Sequence, residues 1–299
     1  MNRRFAIACV DRYLGVFETF VRNGWEPVKL FTVPARSELG NQQAAIAYAE
    51  KNKMAIQLSP MTEHDMAELR DQHCETLLMA SYDWKIPDWR PFLKHAVNFH
   101  PSPLPEGRGP YPPVRAILER RDHWGVTCYR LTPEIDKGDI LAIEKFALRP
   151  DECHESIDLK IQMAAKKLAA FVAPRFAGLW DNAKPQEGGS YWRKYKLADR
   201  VVDFMNPVED VLRHIRAFGD SESLAQVNDR WFLVKRAVGW VEGHNQIPGA
   251  VVHVFNHTVV VAAADGYIAL LQSDPAPQHV ILDMQAELAD ATNLESRAI

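Results

Sequence analysis

Val97-Asn98-Phe99-His100-Pro101-Ser102-Pro103-Leu104-Pro105 reads as the end of a buried strand that runs straight into a rigid turn. Residues two apart on an extended backbone project to the same side, so Asn98 and His100 share a face. Prolines at 101, 103 and 105 fix φ and stop the strand from continuing. A Gly107-Arg108-Gly109 turn follows, and Pro110 to Pro113 lead into a helix. An amide and an imidazole held together on a stiff support make a candidate reaction site, although polar residues at strand ends also serve simply to tie down a turn.

Working outward, the segments before this stretch alternate in period. Arg4–Val10 is a short apolar run, the mark of a strand buried on both faces. Tyr13, Val16, Phe17, Phe20 and Val21 recur at helical spacing, and Asn23-Gly24 ends that helix. Strands follow at 26–33, 54–58, 76–81 and 95–99, with helices at 41–51 and from Thr62, which stands as N-cap with Asp65 three residues on. This alternation predicts an α/β fold, a Rossmann-like parallel sheet with helices on both faces. Such sheets carry their sites beyond the carboxyl ends of the strands. No GxGxxG follows the first strand, so dinucleotide binding is not expected.

Downstream, Val126–Leu131 and Ile140–Leu148 read as strands flanking a loop that holds Asp136-Lys137-Gly138-Asp139, and a long amphipathic helix runs to Val172. A catalytic domain over 1–183, a linker over 184–203 and a small β-rich, OB-like domain over 204–299 with an acidic tail are expected. In the last, Asn206-Pro207 with Glu209 predicts a capped helix that Gly219 ends. The net charge of −4 speaks against a dedicated DNA or RNA binder. Four scattered cysteines with no CxxC signal neither a disulfide framework nor zinc, and Cys9 and Cys128 read as buried core thiols. The apolar run near the N-terminus is too brief for a signal peptide or a membrane span. A cytoplasmic, reduced protein that needs no metal and has no membrane partner is the expectation.

Asp136, in a loop of the same domain, is expected to come near His100. An amide, an imidazole and a carboxylate suit acyl transfer without a covalent intermediate. The amide and the imidazole would donate to a developing oxyanion, and the carboxylate would orient the imidazole and accept a proton. No GxSxG context surrounds Ser102, so a serine nucleophile is not expected.

These blocks together carry a resemblance. Asn98 to Pro105, Gly107-Arg108-Gly109, Gly125-Val126-Thr127 and Asp136-Lys137-Gly138-Asp139-Ile140 resemble the formyltransferases that use 10-formyltetrahydrofolate. Pro185 to Tyr191, Val202-Asp203-Phe204 and Ile215-Arg216-Ala217-Phe218 resemble the linker and C-terminal domain entry of methionyl-tRNA formyltransferase, so the likeness covers nearly the whole chain. It implies a formyltransferase fold and catalytic roles for Asn98, His100 and Asp136. It also implies that 10-formyltetrahydrofolate is bound between the loop after the fourth strand (Tyr82, Trp84, Ile86) and the loop before the catalytic aspartate (Pro133, Glu134). Trp84 reads equally well as a rim aromatic packed on a neighbouring helix.

The acceptor side is expected at Asp11, Arg12 and Tyr13, beyond the first strand, where a plain turn is the other reading, and at Arg108. The resembled tRNA enzymes carry a long basic loop after the second strand. Here Val33 to Gly40 is short, with one arginine and one glutamate, and Gly219-Asp220-Ser221-Glu222-Ser223 brings two acids. Phosphate contacts dominate tRNA affinity, so a small-molecule amine, an amino sugar nucleotide or an amino-acid-derived amine, is the expected acceptor. Cations at Arg193, Lys194, Lys196 and Arg200 read as a solvated linker rather than a tRNA track. A methionyl-tRNA formyltransferase and a 10-formyltetrahydrofolate hydrolase stay open as alternatives.

Overall fold

The computed structural model describes residues 2–34, 41–82 and 84–296, with side chains up to residue 289. Most of the short loop at 33–40 therefore lies outside the described residues. The chain divides into two compact units. Residues up to Pro112, with His123–Ala147 and Leu159–Trp192, form the first; Pro113–Asp122, Leu148–Asp158 and the chain from Arg193 form the second.

In the first unit β1 (Arg4–Cys9), α1 (Leu14–Arg22), β2 (Glu26–Phe31), α2 (Gln43–Lys51), β3 (Ala55–Gln57), α3 (Glu63–Asp71), β4 (Thr76–Ala80) and β5 (His95–His100) follow one another. After α4 (Pro113–Leu118), β6 (His123–Arg130) and β7 (Ile140–Ala147) complete a sheet of order β3-β2-β1-β4-β5-β6-β7. Pairing is parallel from β3 to β5. It turns antiparallel at β6 and β7, which the loop 131–139 joins as a hairpin. The expected parallel sheet is thus a mixed one.

Helices cover both faces because β1 offers each face a different surface. Phe5 meets Phe17 and Phe20 of α1 edge-on or tilted, at 6.1 and 5.9 Å between ring centres. Beyond α5 (His154–Val172), Phe176 of α6 (Phe176–Asp181) sits 5.1 Å from Trp25, which lies 5.1 Å from Phe20. Ala6 and Ala8 face the other way, into a cluster with Met66 and Leu69 of α3 and with Leu104, Tyr129 and Leu131. Cys9 and Cys128 are buried as expected, and burial pushes both thiols up.

The capping expected at Thr62 is present. Asp65 N donates to Thr62 Oγ1 at 3.3 Å, and Thr62 N donates back to Asp65 Oδ2 at 2.8 Å. The same carboxylate accepts from Lys29 Nζ at 2.7 Å and from Gln57 Nε2 at 3.1 Å, joining α3 to β2 and β3.

In the second unit α7 (Val208–Phe218) lies on an antiparallel sheet of order β10-β11-β12-β9-β8. Its strands are β8 (Ser223–Val227), β9 (Arg230–Val241), β10 (Val251–Phe255), β11 (Thr258–Ala262) and β12 (Gly266–Pro275). Val208, Val211 and Ile215 of α7 bury their side chains among Ala225, Val234, Val261 and Ile268 of the sheet. The cap of α7 differs from expectation. Asp265, from the β11–β12 turn, accepts from Val208 N at 2.8 Å, while Asn206 donates to Asp203 O. Pro207 at the cap has no N–H to give, so a remote carboxylate reaches the first free donor. The acidic tail is one helix, α8 (Gln278–Ser296). No helix among the described residues is long and apolar enough to cross a membrane.

Burial alone would raise the Asp65 carboxyl, but hydrogen bonds from Lys29, Thr62 and Gln57 outweigh it and bring it from 3.8 down to about 2. The stability this contributes is present above the unfolded carboxyl pKa and is lost as pH falls through the folded one. We expect urea titrations to show wild-type stability falling between pH 4 and 2 by more than that of Asp65→Asn. Parallel pH curves for the two proteins would contradict this.

Candidate active site

Asn98 and His100 point to one face of β5, and the antiparallel register places Tyr129 of β6 directly opposite Asn98. The β6–β7 loop brings Asp136 to the same group. Asn98, His100 and Asp136 are 7%, 5% and 7% exposed. Asn98 Nδ2 donates to Tyr129 Oη at 3.1 Å, and Tyr129 Oη donates to Asp136 Oδ1 at 2.7 Å. His100 Nδ1 lies 3.7 Å from that same Oδ1. His100 Nε2 is 2.8 Å from Gly107 O and carries a hydrogen, because a carbonyl only accepts. The other carboxylate oxygen of Asp136 accepts from Gly109 N at 2.8 Å. The three residues expected to act together are thus assembled, and Tyr129 is a fourth member that sequence reading missed. Its signal is the strand register, which no local pattern encodes. Burial, and then the neighbouring Asp136, hold the Tyr129 phenol well above its usual range.

The support explains the motif residues. Three prolines leave the turn after β5 poor in donors, and Thr127 of β6 serves what remains. Its hydroxyl accepts from Leu104 N at 3.0 Å and donates to Ser102 O at 2.7 Å. Trp124 Nε1 donates to Pro101 O at 2.8 Å. Asp136 adopts φ +55°, a left-handed conformation uncommon outside glycine. A Cβ at Gly138 would stand 1.8 Å from Arg130 O, so only glycine lets the hairpin close there.

The chain from Lys184 to Trp192 straps this arrangement. Lys184 exchanges backbone hydrogen bonds with Ile140 at 2.9 and 2.7 Å. Gln186 Nε2 donates to Asp136 O at 2.9 Å and to Gly138 O at 2.8 Å, while its Oε1 accepts from Arg108 Nε at 3.2 Å. Ser190 Oγ accepts from Gly107 N at 3.0 Å. Trp192 stacks on Trp124 at 5.6 Å and 11° between planes.

The residues expected around the donor molecule divide. Tyr82 and Ile86 are half-buried and pack on the cluster that holds Tyr129, Leu104 and Leu131. The Tyr82 hydroxyl accepts from Met61 N at 3.0 Å, its ring lies 5.3 Å from that of Trp84, and burial pushes its phenol up to about 12. Pro133 and Glu134 are exposed, and Glu134 pairs with Lys137 at 3.2 Å. Ile135, beside Asp136, is 67% exposed. The residues expected to face the acceptor divide more sharply. Asp11 Oδ1 accepts from Ala45 N at 2.8 Å, so it caps α2. Tyr13 is buried in the core. Arg108 is committed to the strap through Gln186 and through Gly188 O at 2.7 Å. Arg12 alone of these reaches toward the site's loops, with its guanidinium 5.5 Å over the ring of Tyr111. Among the described residues no three metal-ligating side chains cluster.

Comparison with known proteins follows the same lines. Residues 34–172 match the family described as "Formyl transferase", and residues 194–281 match "Formyl transferase, C-terminal domain". A methionyl-tRNA formyltransferase of Chromobacterium violaceum is 28% identical over 203 residues, covering 67% of this chain and 66% of that protein, so the chain spans just under two thirds of this relative. An N-formyltransferase from Helicobacter canadensis, solved with folinic acid and dTDP-3-aminofucose, aligns with TM-score 0.67 at 16% identity over 92% of this chain and 100% of that one. HypX from Aquifex aeolicus, solved with tetrahydrofolic acid, aligns with TM-score 0.66 at 18% identity over 92% of this chain and 44% of that one. At these identities the structural likeness is one of fold.

Gln186 supplies the side-chain donors for two carbonyls of the Asp136 loop, and truncation leaves both short of a partner. We expect Gln186→Ala to lower unfolding free energy by about 1–3 kcal/mol. Gln186→Glu should do no better, because a carboxylate offers no donor. Unchanged urea midpoints in both variants would remove the strap's role.

Proposed function

Because the chain belongs to the formyltransferase family, we propose that it carries a formyl group from 10-formyltetrahydrofolate to a primary amine. The observation that supports this most is the buried cluster in which His100 of the rigid strand end lies beside the Asp136 carboxylate, and Asn98 is linked to that carboxylate through the Tyr129 hydroxyl. The amine nitrogen attacks the formyl carbon, and the carbonyl electrons move onto oxygen. Asn98 has one N–H on Tyr129 and a second to offer that oxyanion. His100 offers the N–H now held by Gly107 O, for which the oxyanion competes. Asp136 takes the amine proton, directly or through water. The bond from N10 to the formyl carbon then breaks, N10 gains a proton, and a formamide and tetrahydrofolate leave.

Tyr82, Trp84 and Ile86, with the exposed Ile135, provide apolar and aromatic surface suited to a pterin. As acceptor we favour a small amine, an amino sugar nucleotide or an amino-acid-derived amine. Of the cations that would serve a tRNA track, two are already engaged within the chain: Arg193 pairs with Asp199 at 2.6 Å, and Arg200 donates to Ser221 O at 2.6 Å. Charged initiator tRNA is the second reading, favoured by curated relatives named methionyl-tRNA formyltransferase.

An amine panel with 10-formyltetrahydrofolate, charged initiator tRNA included, tests the acceptor. Formamide should form fastest on a small amine; a faster rate on the tRNA overturns that choice, and formate released at full rate without any amine replaces the amine with water. In the same assay Asn98→Ala and His100→Ala should each lose about 10²–10³ in kcat, the cost of one oxyanion donor. Folate binding, followed by tryptophan fluorescence, should persist in both. Retention of kcat in either variant would remove that residue from the mechanism.

A further inference from the structure

The mechanism above leaves Tyr129 without a task, although its hydroxyl links Asn98 to Asp136. Its hydroxyl is buried between Asn98 Nδ2 at 3.1 Å and Asp136 Oδ1 at 2.7 Å, and its ring stands edge-on to His100 at 6.5 Å. The directions of these hydrogen bonds are determined by chemistry. An ionised carboxylate only accepts, so the one phenolic hydrogen goes to Asp136. The tyrosine oxygen is then left with lone pairs alone, and only the NH₂ end of Asn98 suits it. Were the amide turned over, two acceptor oxygens would face each other in a buried site, a loss of about 1–3 kcal/mol. Burial and the nearby carboxylate keep the phenol protonated well above its ordinary range, so the direction holds at any ordinary assay pH.

We propose that Tyr129 is a positioning residue that sets the orientation of the Asn98 amide, so that its second N–H rather than its carbonyl faces the reacting oxygen. Asp136 acts as the source of that direction, and the chain Asp136–Tyr129–Asn98 relays it across two strands. The inference rests on the formyl-transfer reading for its consequence, but not for its geometry. A phenylalanine at 129 keeps the ring and its packing while removing the relay, and Asn98 is then free to turn.

Two measurements test this. In the first, Tyr129→Phe is assayed for formyl transfer to the best amine of the panel, alone and combined with Asn98→Ala. We expect kcat to fall about tenfold with the KM for the folate donor within about twofold, since the loss is made in the transition state. In the Asn98→Ala background the same change should cost little, because residues that act through one another are not additive. Full additivity, or an unchanged kcat in Tyr129→Phe, overturns the assignment while leaving the formyl-transfer reading standing. In the second, the Asn98 side-chain amide is followed by ¹⁵N NMR in the wild type and in Tyr129→Phe. Its hydrogens should exchange slowly in the first and markedly faster in the second, with backbone signals of β5 and β6 in place. Equal protection overturns the proposal whatever the protein's reaction is. If the wild type forms no formamide with any amine, the functional reading fails alone and the NMR comparison still decides the role of Tyr129.

Discussion

The buried carboxylate of Asp136 is the constraint on which the rest of the site depends. An ionised group this far from water is costly unless donors surround it. Its partners come from three different segments of the chain. Gly109, in the turn after β5, gives a backbone N–H, and Tyr129, in β6, gives a hydroxyl. Gln186, in the strap, holds the loop's backbone at the carbonyls of Asp136 and Gly138. Each partner must be delivered to within a few tenths of an ångström, which imposes the β5–β6 register, the shape of the Gly107–Gly109 turn and the path of residues 184–192 at once.

That dependence gives the motif residues physical reasons. The prolines after His100 remove hydrogen-bond donors from a turn whose few remaining polar groups Thr127 and Trp124 can satisfy. Gly138 is small because Arg130 O occupies the place of a side chain, and a Cβ at Gly109 would meet Trp192 O at 2.3 Å. The left-handed conformation of Asp136 is stabilised by the same hydrogen bonds that use its carboxylate, so a local backbone cost is offset by the site itself.

Much of this was legible in the chain, and the missing parts share a cause. Period and capping are local, so the alternation of strands and helices, the Thr62 cap and the shared face of Asn98 and His100 could be read residue by residue. Antiparallel pairing of β5 with β6 is not local, and with it Tyr129 escaped notice. The cap of α7 escaped for the same reason, since its carboxylate comes from a turn some sixty residues on in space-filling contact rather than from the neighbouring Asn206. Asp11 and Arg108 illustrate the converse. A charged residue beside a site reads as a ligand contact in a sequence, yet a helix N-terminus and a strap carbonyl claimed these two.

Charge placement bears on the acceptor in the same way. A polyanion is held by many outward cations, each adding to a salt-dependent affinity. Around the entry to the second unit several cations are instead paired with carboxylates of the same chain. Arg213 sits between Asp210 and Glu209, Arg120 lies 2.8 Å from Asp210, and Arg193 closes on Asp199. Pairing of this kind reduces the field a phosphate backbone would feel. A small acceptor asks only for one or two directed groups, and the guanidinium of Arg12, 5.5 Å over the ring of Tyr111, is the one we propose for that part.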